Sequence, residues 1–302
     1  MAAGRLVPAQ RTPALSPARR VLILAPHPDD EIVSCSVAAL RARREGAQIS
    51  AVFLTTGVPP REVLWPWQRA RYEARVARRR DEAERTAALF QFGLGGFSDI
   101  PSRRLVSHLD EAAESIERAI DAVAATELWA TAFEGAHQDH DAANALAASF
   151  RDRLPVWEFA AYNYAGGKVR SNRFLDARGG VVELTASRDE ARLKREALAL
   201  YASERGNLRH IQVREEAYRP LPRHDYSAPP HAGTLFRERF HWVPFRHPRI
   251  DFTPSTEIYP ALGRWIADKI SPPPGLTRGS TSLWVTGDTE DVDARIKSGQ
   301  GH

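Results

Sequence analysis

The sequence predicts an α/β fold with a mostly parallel sheet covered by helices on both faces, and three observations carry that expectation. Val21-Leu-Ile-Leu-Ala25 is a short unbroken aliphatic run, the composition of a strand buried on both faces. A second run of this kind, Ile49 to Thr55, follows a segment of helical periodicity. Strand and helix candidates then keep alternating to about Arg151 through short connections, which is the order of a parallel sheet with crossover helices.

The elements follow in order. Ile32 to Glu45 has helical periodicity and stops at Gly46, a usual helix C-terminus. Gly57, Pro59 and Pro60 break the chain after the second strand. A Trp-rich loop leads into a long charged helix, about Gln68 to Gln91, which Gly93, Gly95 and Gly96 end. Ser107-His-Leu-Asp110 resembles a capping box with Asp in place of Glu, opening a helix to about Ala125. Glu127 to Phe133 reads as a strand and Asp141 to Arg151 as a helix.

The second half is less regular. Val156 to Tyr162 and Lys168 to Phe174 read as strands paired around Gly166-Gly167, and Val181 to Leu184 as another. Ser187-Arg-Asp-Glu190 fits a capping box for a helix reaching Glu204, with Gly206 at its C-terminal cap. From Arg219 to Pro260 the chain is dense in Pro, His and aromatic residues and reads as loops. The whole is expected to be a Rossmann-like three-layer fold. One catalytic domain would span 20–270, between disordered tails at 1–19 and 271–302.

Composition narrows the function classes. A hydrophobic content of 43% and a charged content of 26% describe an ordinary globular protein. No apolar run approaches the ~18 residues of a membrane span, and the N-terminus lacks the apolar stretch of a secretory signal. Cys35 is the only cysteine, so neither an internal disulfide nor a thiolate cluster can form, and a reducing cytoplasm fits. The net charge of +4 comes from arginines interleaved with Glu and Asp, as in Arg75 to Arg85. That is the pattern of a solvated helix face rather than a nucleic-acid stripe.

Two segments carry chemistry, and each directly follows a strand. In Pro26-His27-Pro28-Asp29-Asp30-Glu31, His27 and Asp30 offer an imidazole and a carboxylate to a borderline dication such as zinc. Asp29 between them would point elsewhere, free to bond a metal-held water. In His137-Gln138-Asp139-His140, one histidine could complete a set of three protein ligands with open positions, the pattern of a catalytic zinc site. In a parallel sheet both segments fall at the edge where ligands bind. Read singly, each could also be a polar turn capping a helix.

These residues resemble the PIG-L/LmbE-like zinc-dependent N-acetylglucosaminyl deacetylases: Pro26 to Glu31 is similar to their signature, and His137 to His140 to their second motif. The resemblance implies His27, Asp30 and His140 as metal ligands and Asp29 as general base. It implies His137 as the group meeting the oxyanion or leaving amine, and Asp139 as the acid orienting a histidine. It also implies a substrate-binding arginine early in the long helix; the position falls on Asp81, so Arg79 and Arg80 are the candidates. Gln138 stands where the family usually has Pro. The expected function is removal of an N-acetyl group from an amino sugar or glycoconjugate, with Zn²⁺ or, in the cell, Fe²⁺ as cofactor. An amidase on a larger sugar conjugate and a non-catalytic sugar-binding protein are the alternatives. Trp65 and Trp67 are candidates for stacking on a sugar face, whereas His224, His231, His241 and His247 read as surface or packing histidines.

Overall fold

Strand β1 (Arg20–Ala25) lies in the interior of the sheet, as its unbroken apolar run requires. Leu22 and Leu24 face one hydrophobic core, while Val21, Ile23 and Ala25 face another. Such a strand is stable only where both faces are covered. The structure, a computed structural model, describes residues 18–270. The tails expected at 1–19 and 271–302 lie outside that range except for Ala18 and Arg19, and Arg19 bonds Glu127 at 2.8 Å.

After β1 come α1 (Asp30–Arg44), β2 (Gln48–Phe53), α2 (Pro66–Arg69), α3 (Tyr72–Phe90), β3 (Gly93–Phe97), α4 (Leu109–Val123), β4 (Glu127–Thr131) and α5 (Gln138–Ser149). The second half adds β5 (Val156–Phe159), β6 (Tyr162–Asn163), β7 (Arg170–Ser171), β8 (Val182–Thr185), α6 (Arg188–Leu200), β9 (Glu215–Pro220) and α7 (Ser255–Ile270). Seven strands form one sheet in the order β3-β2-β1-β4-β5-β9-β8. The first five are mutually parallel, and β9 and β8 join antiparallel. β6 and β7 make the small antiparallel pair expected around Gly166-Gly167. One face is covered by α4, α5 and α7, the other by α1, α3 and α6. No described helix is long and apolar enough to cross a membrane.

The departures from expectation have local causes. The glycine run expected to stop the long helix is itself an edge strand: a Cβ at Gly93 would lie 2.6 Å from Ser50 Oγ, so glycine serves close approach to β2. The helix expected from Gln68 is two, α2 and α3. Ser107 caps nothing, since α4 starts at Leu109 without a side-chain cap. The Ser187 box does form, with Glu190 N on Ser187 Oγ and Ser187 N on Glu190 Oε2. Its helix ends at Leu200, short of Glu204, so Gly206 is not its cap. The stretch expected as loops between Arg219 and Pro260 holds the end of β9 and the start of α7.

Candidate metal centre

The strand order β3-β2-β1-β4-β5 reverses direction at β1 and β4. The chain leaving β1 enters α1 on one face, and the chain leaving β4 enters α5 on the other. The two connections therefore part at the carboxyl edge and leave a crevice between them. Both motif segments line it.

His27 is held between two carboxylates. Its Nδ1 lies 3.0 Å from Asp30 Oδ2 and its Nε2 2.9 Å from Asp139 Oδ2. His140 Nε2 sits 3.2 Å from Asp30 Oδ1. The ligating atoms of His27, Asp30 and His140 all lie within 4.8 Å of one another. His140 is fully buried; its Nδ1 has no partner, and its Nε2 meets Asp30 without the alignment of a hydrogen bond. An orphaned buried imidazole is expensive. A dication bound beside Asp30 would give His140 Nε2 a partner, and two imidazoles with a carboxylate are the donors zinc takes. The residues present fit the metal.

A second grouping, His27, His137 and Asp139, is equally close, but its atoms are already satisfied. His137 is the N-cap of α5, its Nδ1 accepting from Asp139 N at 3.1 Å. Asp139 accepts from Arg103 N at 2.6 Å, Leu105 N at 3.2 Å and Ser102 Oγ at 3.3 Å as well as meeting His27. A carboxylate behind a ligating histidine fixes its ring and tautomer. Asp139 has that place behind His27.

Electrostatics follow this arrangement. Burial would raise Asp30, but His140 and His27 outweigh it and hold the carboxyl far below its usual range. Burial likewise opposes ionisation of Asp139, yet His137, His27 and the Arg103 amide keep it down at about 2. His27 runs against its own burial, raised to about 10 by Asp139 and Asp30. Burial lowers His137 to about 3, so this ring is neutral. With Nδ1 accepting, its proton is on Nε2.

Asp29 precedes α1 with φ 132° and ψ −25°, a region that residues with a side chain rarely adopt. Two contacts hold it there: its N–H donates to Glu31 Oε2 at 3.0 Å, and Arg79 Nη2 donates to its Oδ2 at 3.1 Å. Burial, opposed by Arg79, raises its carboxyl to about 7. Burial raises Glu31 further, to about 8, and Glu31 accepts the Tyr201 hydroxyl. Arg79 also donates to Pro28 O and to Ser203 Oγ. Gly57, at φ +68°, makes room: a Cβ there would lie 2.8 Å from Arg79 Nε and 2.9 Å from Pro28 Cδ.

The structure thus brings His27, Asp29, Asp30, His137, Asp139 and His140 together and separates the two arginines. Arg79 lies in the core under Asp29, its two terminal nitrogens bonded to protein groups and its buried Nε without a partner. Arg80, one residue on and so turned away, pairs with Asp99 and covers Phe97. Sequence reasoning missed Ser102, Arg103 and Tyr201. The first two follow β3, whose glycines read as a break, and Tyr201 lies where α6 was expected to continue. The crevice wall includes Gln138, bonded to Asp251 at 2.6 Å, and the guanidinium of Arg103 holds the Pro248 and Ile250 carbonyls.

Comparison with known proteins agrees with this architecture. Among solved structures, a deacetylase of the teicoplanin biosynthesis pathway superposes with a TM-score of 0.53 at 18% identity, covering 67% of this chain and 97% of its own. The A40926 pseudoaglycone deacetylase gives 0.51 at 18% identity, covering 67% and 96%. These are likenesses of fold. No curated protein matches the sequence. Residues 22–150 match the PIG-L family model, described as GlcNAc-PI de-N-acetylase. That stretch contains both motif segments, and it is the part of the chain that is similar to the PIG-L family.

Proposed function

We propose that the chain is a zinc-dependent hydrolase that removes the N-acetyl group from an amino sugar or glycoconjugate, with residues 20–270 as its catalytic domain. The observation that carries the reading is His140, fully buried without a hydrogen bond at either ring nitrogen and grouped with Asp30 and His27 within 4.8 Å. His27 Nδ1, Asp30 and His140 would hold the metal; the same donors also suit Fe²⁺. When bound, zinc supplies a water acidified to near neutrality and a Lewis acid for the amide carbonyl. The family description and the activities of the superposing deacetylases support an N-acetyl substrate. The lone, buried Cys35 supports a reducing, cytoplasmic setting.

The side chains divide the remaining work. Asp29 keeps Oδ2 on Arg79, which leaves Oδ1 to take a proton from the attacking water and return it to the leaving nitrogen. His137, with Nδ1 fixed by the Asp139 amide, presents Nε2–H to the carbonyl oxygen as negative charge develops there. Asp139 holds the His27 ring. The water oxygen ends in acetate, the C–N bond breaks, and the sugar amine is freed. Trp65 and Trp67 stack at 5.6 Å between centroids, with Trp67 two-thirds exposed, and offer a flat surface to a sugar ring.

Acetate release from a panel of N-acetylated sugars and glycoconjugates, with metal-loaded and chelated protein, tests the reading. Acetate should appear only with metal. Activity in a preparation free of transition metal would overturn it, and amide cleavage without acetate would leave the larger-conjugate amidase.

A further inference from the structure

Helix α1 is not continuous. Cys35, inside it, has φ −138° and ψ 17°, which ends the first helical stretch after about one turn and lets a second start at Ser36. A break of this kind leaves carbonyls before it and N–H groups after it without helical partners. Here all of them are buried, as Val33, Ser34, Cys35, Ser36 and Val37 are each no more than 2% exposed.

Three residues from the second half of the chain meet those groups. Glu216, on β9, accepts from Ser36 Oγ at 2.9 Å, Val37 N at 2.9 Å and Ala38 N at 3.1 Å, and so caps the second stretch from another element. Lys194, on α6, donates to Val33 O at 3.0 Å and to Glu216 Oε1 at 2.7 Å. Asn172 Nδ2 donates to the same Val33 carbonyl at 2.7 Å. Lys194 and Glu216 have no exposed side-chain surface.

A fully buried ion pair is a poor source of stability, because desolvation offsets its attraction. An unbroken helix would need neither charge. What the break provides is a single helical turn, carrying Asp30 and Glu31, whose direction is independent of the rest of α1. The front of that turn is fixed by Arg79 on Asp29 and by Tyr201 on Glu31. Its back is fixed at Val33 by Lys194 and Asn172.

We propose that Lys194, Glu216 and Asn172 are positioning residues of the metal centre, clamping the broken end of the turn that presents Asp30 beside His27 and His140. The inference rests on the zinc reading above. All three residues lie beyond residue 150, outside the matched family stretch.

The test measures zinc affinity of the full chain by chelator competition, together with the visible spectrum of the cobalt-substituted protein. Lys194→Met with Glu216→Leu removes both charges together and strands neither. Zinc should bind about tenfold to a hundredfold more weakly, the range seen when groups behind metal ligands are lost. The cobalt bands should shift as well. Lys194→Met with Glu216→Gln keeps an amide oxygen for Val37 and Ala38 and should recover most of the affinity. Asn172→Gly suits the local φ of 56° and removes the amide donor to Val33 together with its contacts to Ala160 O and Ser171 Oγ; it should weaken zinc by roughly tenfold. It decides the matter if the Leu variant does not fold. Folded variants with wild-type zinc affinity and cobalt spectrum would overturn the positioning role alone. A wild-type chain that binds no zinc would overturn the zinc reading and this one with it.

Discussion

Arg79 donates to Asp29 Oδ2 at 3.1 Å from inside the core, with only 3% of its surface exposed. Within the run Arg78 to Arg80, Arg79 meets the turn that carries His27 and Asp30, while Arg78 pairs with Glu82 and Arg80 with Asp99. Asp29 keeps one oxygen engaged and the other available because of this contact.

Arg79→Lys should lower kcat and leave KM for an acetylated substrate nearly unchanged. Lysine keeps the charge near Glu82 and Glu204 but cannot span Asp29, Pro28 O and Ser203 at once. Misplacing a catalytic group by about an ångström costs ~10² in rate. A raised KM at constant kcat would restore the substrate-anchor role. Arg80→Ala should be silent in both constants, since Arg80 pairs with Asp99 on the outside.

Strands β1, β2 and β4 were legible as largely apolar runs followed by turn residues, whereas the glycines of β3 read as a break. The motif segments were legible because chemistry concentrates there: His27 through Asp30 and His137 through His140 occupy one crevice as expected. What was hidden depends on long-range partners. Glu215 to Pro220 is too polar to read as a strand, and Glu216 is buried only because Lys194 and the break in α1 receive it. Arg79 differs from Arg80 in falling at helical spacing on the stripe of Tyr72, Val76, Ala83, Ala87 and Phe90 that α3 buries, and in the space beneath Gly57.

His137 has two duties that substitution can separate. His137→Ala should lower turnover by ~10² to 10³, the usual loss for an oxyanion donor, and cost about 1 kcal/mol of stability through the missing N-cap. His137→Asn supplies a good N-cap without a ring Nε2–H, so stability should return while the rate stays low. Zinc content should be unchanged in both. Loss of zinc in the Asn variant would make His137 a ligand.

The adjacent aspartates should respond differently to amidation. Asp30 faces both His27 and His140, so Asp30→Asn removes a charged ligand and should empty the site of zinc. Asp29 faces Arg79, so Asp29→Asn should keep the metal and slow turnover by ~10² to 10⁴, the contribution of a positioned general base. Elemental analysis beside the rates checks this. Retention in Asp30→Asn with loss in Asp29→Asn would exchange the two roles.

The backbone at Asp29 allows a test that needs no substrate. At φ 132° a Cβ is strained by about 1 to 3 kcal/mol, and glycine is not. Both Asp29→Gly and Asp29→Ala remove the carboxylate and leave Arg79 to Glu82 and Glu204, so the lost ion pair cancels between them. At an ordinary position alanine is the more stable residue by about 0.4 to 1 kcal/mol, because the unfolded glycine chain is freer. Here the order should invert, with the glycine variant melting higher than the alanine variant and both inactive. Denaturant titration of the pair reads the difference directly. If alanine is the more stable, the turn has relaxed out of its left-handed conformation, and the strain at Asp29 is not what the contacts from Arg79 and Glu31 hold in place.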